Sequence, residues 1–140
     1  MNRKLGLGFW LAGSLLMVGG ACDRFAKEER VEQNITVTKA DHNKNVRVAT
    51  GGRVTVRLNW TPGTGYDWVV SQADPTRLQQ EGDPTTERGK NPVPGAPETR
   101  VFQFKAVNAG GAILEFHSRR PWEKDAPPLD VFLVRVQIVD

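Results

Sequence analysis

The chain holds one cysteine and two histidines in 140 residues. A single thiol excludes an intramolecular disulfide, and no Cys/His spacing suited to a metal ion is present. His42 and His117 have no Ser/His/Asp order or paired-carboxylate pattern around them, so no catalytic set can be assembled, and no metal or other cofactor is expected. His117 alternates with Leu114 and Phe116 and reads as a surface residue of a strand. No long stretch with a 3.6-residue apolar period is present, nor any internal repeat or basic run. The formal charge of +3 is also misleading. Two of the 19 Lys and Arg side chains, Arg3 and Lys4, precede Cys22 and no acid does, so residues 22–140 carry 17 positive against 16 negative side chains, a formal +1. Interspersed charge of that size excludes a nucleic-acid footprint.

What is present begins with a leader. Arg3 and Lys4 precede the apolar stretch from Leu5 to Val18, which ends in Gly19-Gly20-Ala21 before Cys22. A short positive head, an apolar run too short to span a bilayer comfortably and a small-residue end are the layout of a secretory signal peptide. The segment resembles a bacterial lipobox, with Gly19 where an aliphatic residue usually stands. The expectation is therefore a signal peptide over 1–21 and lipidation of Cys22. A polar tether over 22–32 and one domain over 33–140 would follow. The protein would then be anchored to the membrane through its N-terminal lipid in the bacterial cell envelope, facing the periplasm or the exterior. Acyl chains give about 0.8 kcal/mol of membrane affinity per buried methylene.

The remainder alternates with period two. Ile35 and Val37, Val46 and Val48, Val54 to Leu58, Trp68 to Val70, Phe102 to Ala106, Leu114 and Phe116, and Phe132 to Ile138 each read as one strand. About seven strands in a chain of this size predict an all-β, immunoglobulin-like β-sandwich. Gly51-Gly52 and Asn108-Ala109-Gly110-Gly111 have hairpin-turn composition. Asp74 to Gln80 could form one helical turn, and the polar run from Gln79 to Lys90 reads as an irregular, mobile stretch.

Three connections carry more than turn chemistry. The first, Thr61-Pro62-Gly63-Thr64-Gly65-Tyr66, combines a fixed φ with two permissive ones and leads to Asp67 and Trp68. Tyr66 and Trp68 read either as exposed aromatic surface or as core. The second, Asn91 to Glu98, holds Pro92, Pro94 and Pro97 around Gly95 and Ala96, and predicts a stiff, extended segment. The third is Arg119-Arg120-Pro121-Trp122-Glu123. A Trp beside Pro and Arg at a loop tip fits a binding anchor, or a lid folded over the sandwich end.

These loops resemble those of the chagasin-like inhibitors of papain-type cysteine peptidases. The family's first loop, Asn-Pro-Thr-Thr-Gly-Tyr/Phe followed by Trp, is matched by Thr61 to Tyr66 and Trp68. Its Arg-Pro-Trp loop is matched by Arg120-Pro121-Trp122, and its middle loop by Val93 to Thr99. The resemblance implies reversible, non-covalent inhibition, with no chemistry of the protein's own. Thr61, Pro62, Gly63, Thr64, Gly65 and Tyr66 would sit over the catalytic cysteine. Pro94, Gly95 and Ala96 would lie on one side and Arg120, Pro121 and Trp122 on the other. The partner would be a papain-like cysteine peptidase bound by a monomer, and no nucleic acid is involved. Thr61 replaces the family's Asn and Gly63 its first Thr. The expectation is that Gly63→Thr tightens inhibition. The alternative is a non-inhibitory envelope adaptor on the same fold.

Overall fold

The computed structural model describes residues 31–91 and 93–140. The leader, Cys22 and most of the tether lie outside the described residues, as does Pro92 of the middle loop. The described residues form eight strands: β1 Glu32–Thr38, β2 Asn45–Trp60, β3 Asp67–Gln72, β4 Leu78–Gln80, β5 Thr85–Glu87, β6 Glu98–Ala106, β7 Gly110–Arg119 and β8 Asp130–Val139. One 3-10 turn, Lys39–Asp41, joins β1 to β2.

The eight strands form one hydrogen-bonded sheet folded into two layers, the immunoglobulin-like sandwich that the period-two pattern implies. The fold line lies within β2. Its first arm, Asn45 to Ala49, runs parallel to β8, and its second, Arg53 to Trp60, runs antiparallel to β6 and parallel to β1. Gly51 and Gly52 lie at this corner. Gly51 has φ 86°, and a Cβ on Gly52 would stand 2.0 Å from the Gln33 carbonyl oxygen. Their turn composition is therefore used where the chain reverses direction between arms that pair with different partners, and not in a hairpin of two strands paired to each other. Asn108 to Gly111 also departs from a hairpin, because it links β6 of one layer to β7 of the other.

The region from Asp74 to Glu87 differs from expectation. Asp74 accepts the backbone N–H groups of Arg77 (3.1 Å) and Leu78 (2.8 Å), closing one turn before β4 begins. The stretch read as irregular, Gln79 to Lys90, holds most of β4 and all of β5, both paired to β6. β5 is exposed throughout, so no apolar alternation marked it.

Burial follows alternation. Val54, Val56 and Leu58, Phe102 and Phe104, Leu114 and Phe116, and Phe132, Val134, Val136 and Ile138 point inward. Phe116 is at the centre, with ring centroids 4.7 Å from Phe102, 6.1 Å from Phe104 and 6.0 Å from Phe132. Apolar area removed from water at ~25 cal/mol per Å² is the main stabilising term.

Strand register places the three loops at one end. Trp60, at the end of β2, pairs with Glu98 at the start of β6. Asp67 pairs with Arg119, and Ser118 with Asp130. The chain thus leaves the sandwich at this end into residues 61–66, 88–97 and 120–129. β1 begins at the opposite end, where Glu32 pairs with Val48.

Candidate functional site

The first loop is built on a Pro-Gly pair. Pro62 is followed by Gly63 at φ 91°, the residue order and sign of φ that a type II turn requires. The Thr64 hydroxyl donates to the Thr61 carbonyl at 2.9 Å, and the Tyr66 N–H reaches back to Thr64 Oγ1 at 3.4 Å. Thr64 thus braces the loop from within, tying its hydroxyl to the backbone on both sides. A second positive φ, 82°, falls at Gly65.

Gly63 corrects one expectation. Nothing lies within 4 Å of a Cβ built there, so a side chain would not clash, yet its φ of 91° disfavours any L residue and a β-branched one most. The glycine sets the loop's shape as well as removing a side chain. Gly63→Thr should therefore strain the loop, and the expected gain in inhibition is withdrawn.

The middle loop repeats the device. Pro94 precedes Gly95 at φ 80°, and the Ala96 N–H donates to the Val93 carbonyl at 3.0 Å. The expected extended segment is therefore folded over in a tight turn. Arg88 and Glu98 close its base at 3.0 Å.

The third loop leans on the first. The Arg120 guanidinium stacks on the Tyr66 ring at 4.5 Å, its Nε donates to the Thr64 carbonyl at 3.1 Å, and its Nη1 meets Glu123 at 3.3 Å. Trp122 lies against Gly65, where an added Cβ would fall 2.3 Å from its Cη2. The indole nonetheless remains 66% exposed, so it is a supported protrusion and not a closed lid. Pro121 is exposed beside it. The first and third loops border a cleft of about 380 Å³, walled by Trp60, Tyr66, Arg120 and Leu129.

The two aromatics whose roles were open divide. Trp68 is core, with its indole N–H donating to the Asn59 carbonyl at 2.8 Å, whereas Tyr66 is half-buried under Arg120. The structure therefore brings the first and third loops into contact and sets the middle loop beside them at the same end. Sequence reasoning missed Val93 and Leu129, each 65% exposed. A lone apolar residue between prolines, or after Pro127-Pro128, was the available signal. It also missed Arg100 and Asp67, an ion pair whose members are 33 positions apart. Arg100 is held above its ordinary pKa, chiefly by its hydrogen bonds to Asp67.

The histidines take structural places. His42 Nδ1 accepts the Leu133 N–H at 3.1 Å, and His117 Nε2 lies 2.6 Å from Glu115 on the outer face of β7. Among the described residues, no cluster of three or more His, Cys, Asp or Glu could hold a metal ion.

A family model described as "Chagasin family peptidase inhibitor I42" matches residues 47–136. No curated protein sequence matches significantly. Among solved structures, the chain is similar to the cysteine protease inhibitor EhICP2 from Entamoeba histolytica, with a TM-score of 0.69 and 22% identity, covering 76% of this chain and 96% of that one. Amebosin gives a TM-score of 0.58 at 22% identity, covering 74% and 96%. PbICP-C, solved in complex with falcipain-2, gives 0.54 at 14% identity, covering 79% and 95%. These likenesses establish the fold.

Proposed function

The chain belongs to the chagasin family of peptidase inhibitors, and on that premise we propose that it inhibits papain-like cysteine peptidases reversibly and non-covalently, filling the active-site cleft with three loops. As a member of an inhibitor family it is not an enzyme. The observation that carries the three-loop reading is where apolar surface is left uncovered. The most exposed large apolar side chains among the described residues are Val93, Trp122 and Leu129, all in loops at one end. Covering such surface is what a protein partner does.

The two Pro-Gly turns and the Arg120 latch support the reading further. Loops already held in shape lose little entropy on binding, so more of the contact energy remains as affinity. In this mechanism the first loop faces the catalytic cysteine without presenting an oriented scissile carbonyl, so proximity produces no reaction. Trp122 packs on one side of the cleft and the Val93–Ala96 turn on the other.

The decisive experiment titrates papain with the purified protein. Stoichiometric inhibition is expected, weakened about 30-fold by Trp122→Ala, as loss of a ~2 kcal/mol anchor requires. Absence of inhibition across several papain-like peptidases would leave the adaptor reading in its place.

The same reading makes the protein a monomeric lipoprotein of the bacterial envelope, cut before Cys22 and acylated there. β1 starts at the end of the sandwich opposite the loops, so a tether entering there leaves the loops free to meet a peptidase in solution. Fatty-acid labelling of the wild type, absent in Cys22→Ala, tests this part separately.

A further inference from the structure

The backbone leaves one spacing at the loop end unset. β3, which carries the chain away from the first loop, is hydrogen-bonded to β7 and, among the described residues, to no other strand. β6, which carries the chain away from the middle loop, is bonded to β2, β4 and β5 in the other layer. No ladder joins β3 to β6, so main-chain hydrogen bonding does not fix the first loop's exit relative to the middle loop.

A side chain bridges the gap. Arg100, near the start of β6, grips Asp67 through Nε at 3.0 Å and through Nη2. Its Nη1 donates to Thr86 Oγ1 on β5 at 2.7 Å, and the guanidinium lies 4.5 Å over the Trp60 ring. The Trp60 indole N–H in turn donates to the Tyr66 carbonyl. Arg100 therefore touches both stems of the first loop, Trp60 and Asp67, and ties them to both strands of the middle-loop hairpin. The pair is shielded, with the Arg100 and Asp67 side chains 21% and 29% exposed. A two-pronged guanidinium grip fixes orientation as well as distance, and an ammonium group cannot reproduce it.

We propose that Arg100 is a positioning residue for inhibition, acting through Asp67 and Trp60 to hold the first and middle loops at the spacing that lets both enter one cleft. This rests on the inhibitory reading above. Arg100 faces inward and need not touch the peptidase. Arg120 does the corresponding work between the first and third loops, so the two arginines divide the three-loop surface into separately braced pairs.

The test measures inhibition constants against papain for the wild type, Arg100→Gln, Arg100→Lys and Asp67→Asn, each alone and combined with Val93→Ala or Trp122→Ala. Circular dichroism confirms folding. Arg100→Gln should weaken inhibition about tenfold, the cost of re-ordering a loop on binding, and Arg100→Lys should not restore it. The penalty for Val93→Ala should disappear in the Arg100→Gln background, while that for Trp122→Ala should persist. A purely structural role would leave both penalties in place or shrink both. Asp67→Asn gives the same reading if Arg100→Gln does not fold. A folded Arg100→Gln that inhibits as the wild type does, or one in which the Val93→Ala penalty is unchanged, overturns the proposal. A wild type that inhibits no papain-like peptidase overturns the inhibitory reading, and this proposal with it.

Discussion

The middle of the sandwich and its loop end use aromatic rings in opposite ways. In the middle, Phe102, Phe104, Phe116 and Phe132 are buried side chains with no polar group, held by packing alone. At the loop end, Trp60 and Tyr66 each lie under an arginine, Trp60 also donates a hydrogen bond, and Trp122 stands largely in solvent. Phenylalanine suits the first task because burying it strands no hydrogen-bonding group. Trp and Tyr suit the second because they offer large rigid surface together with a polar handle. The contrast teaches that stability and recognition reside in different residues and should be separable by mutation.

The largest expected effect lies in the middle. Phe116→Ala removes the ring that three others touch and should cost ~3–5 kcal/mol of stability, read as a lower denaturation midpoint. At temperatures where the variant stays folded, its inhibition of papain should match the wild type. Trp122→Ala should do the reverse, weakening inhibition while shifting stability by no more than ~0.5 kcal/mol. A Trp122→Ala midpoint as low as that of Phe116→Ala would break the comparison.

Two glycines of the first loop sharpen it. Gly65 and Gly63 both have positive φ, but Gly65 lies under Trp122 and Gly63 faces open space. Gly65→Ala adds backbone strain of ~1–2 kcal/mol and also displaces the Trp122 ring. Inhibition should weaken about tenfold by the loss of one well-placed anchor, and a further Trp122→Ala change should then matter less. Gly63→Thr carries the strain without the displacement. It should weaken inhibition by a smaller factor, and the Trp122→Ala penalty should be preserved. Tighter inhibition by Gly63→Thr would mean that contact with the peptidase outweighs loop strain.

Most of the fold was legible because a half-buried strand repeats every two residues, and Val54 to Leu58 or Phe132 to Ile138 state that period without interruption. What period two cannot state is pairing. It reads Val46–Val48 and Val54–Leu58 as two strands, and they do run in opposite directions either side of Gly51-Gly52, but it does not say that the first pairs with β8 and the second with β6. It is also silent on β5, whose residues face water. At the loop end, Trp122 was legible because an indole beside Pro and Arg is costly without a purpose. Trp68 was ambiguous because its strand is short. The Arg100–Asp67 bracket left no trace in the sequence. An ion pair between residues distant in the chain has no local pattern, and exists once both layers are in place.

The smallest expected effect lies at the end of the sandwich farthest from the loops. There the Asp74 carboxylate accepts the Thr76 N–H at 3.0 Å, the Thr76 hydroxyl at 2.6 Å and Arg77 Nη1 at 2.7 Å. These donors, the Thr76 hydroxyl foremost, hold the Asp74 pKa below its ordinary value. A carboxyl lowered by folding contributes stability above its unfolded pKa of ~3.9, and that contribution is lost as pH falls through the lower folded value. Wild type should therefore be more stable than Asp74→Asn at neutral pH, with the gap closing on acidification below about pH 4. Asp74 is only partly buried, so the gap should be small, and denaturation midpoints across that range measure it. Inhibition at neutral pH should be unchanged, because β3 and β6 separate this turn from the loops. A weaker inhibitor in Asp74→Asn would show that strain at one end of the sandwich reaches the other, and the division between stabilising and recognising residues would not hold.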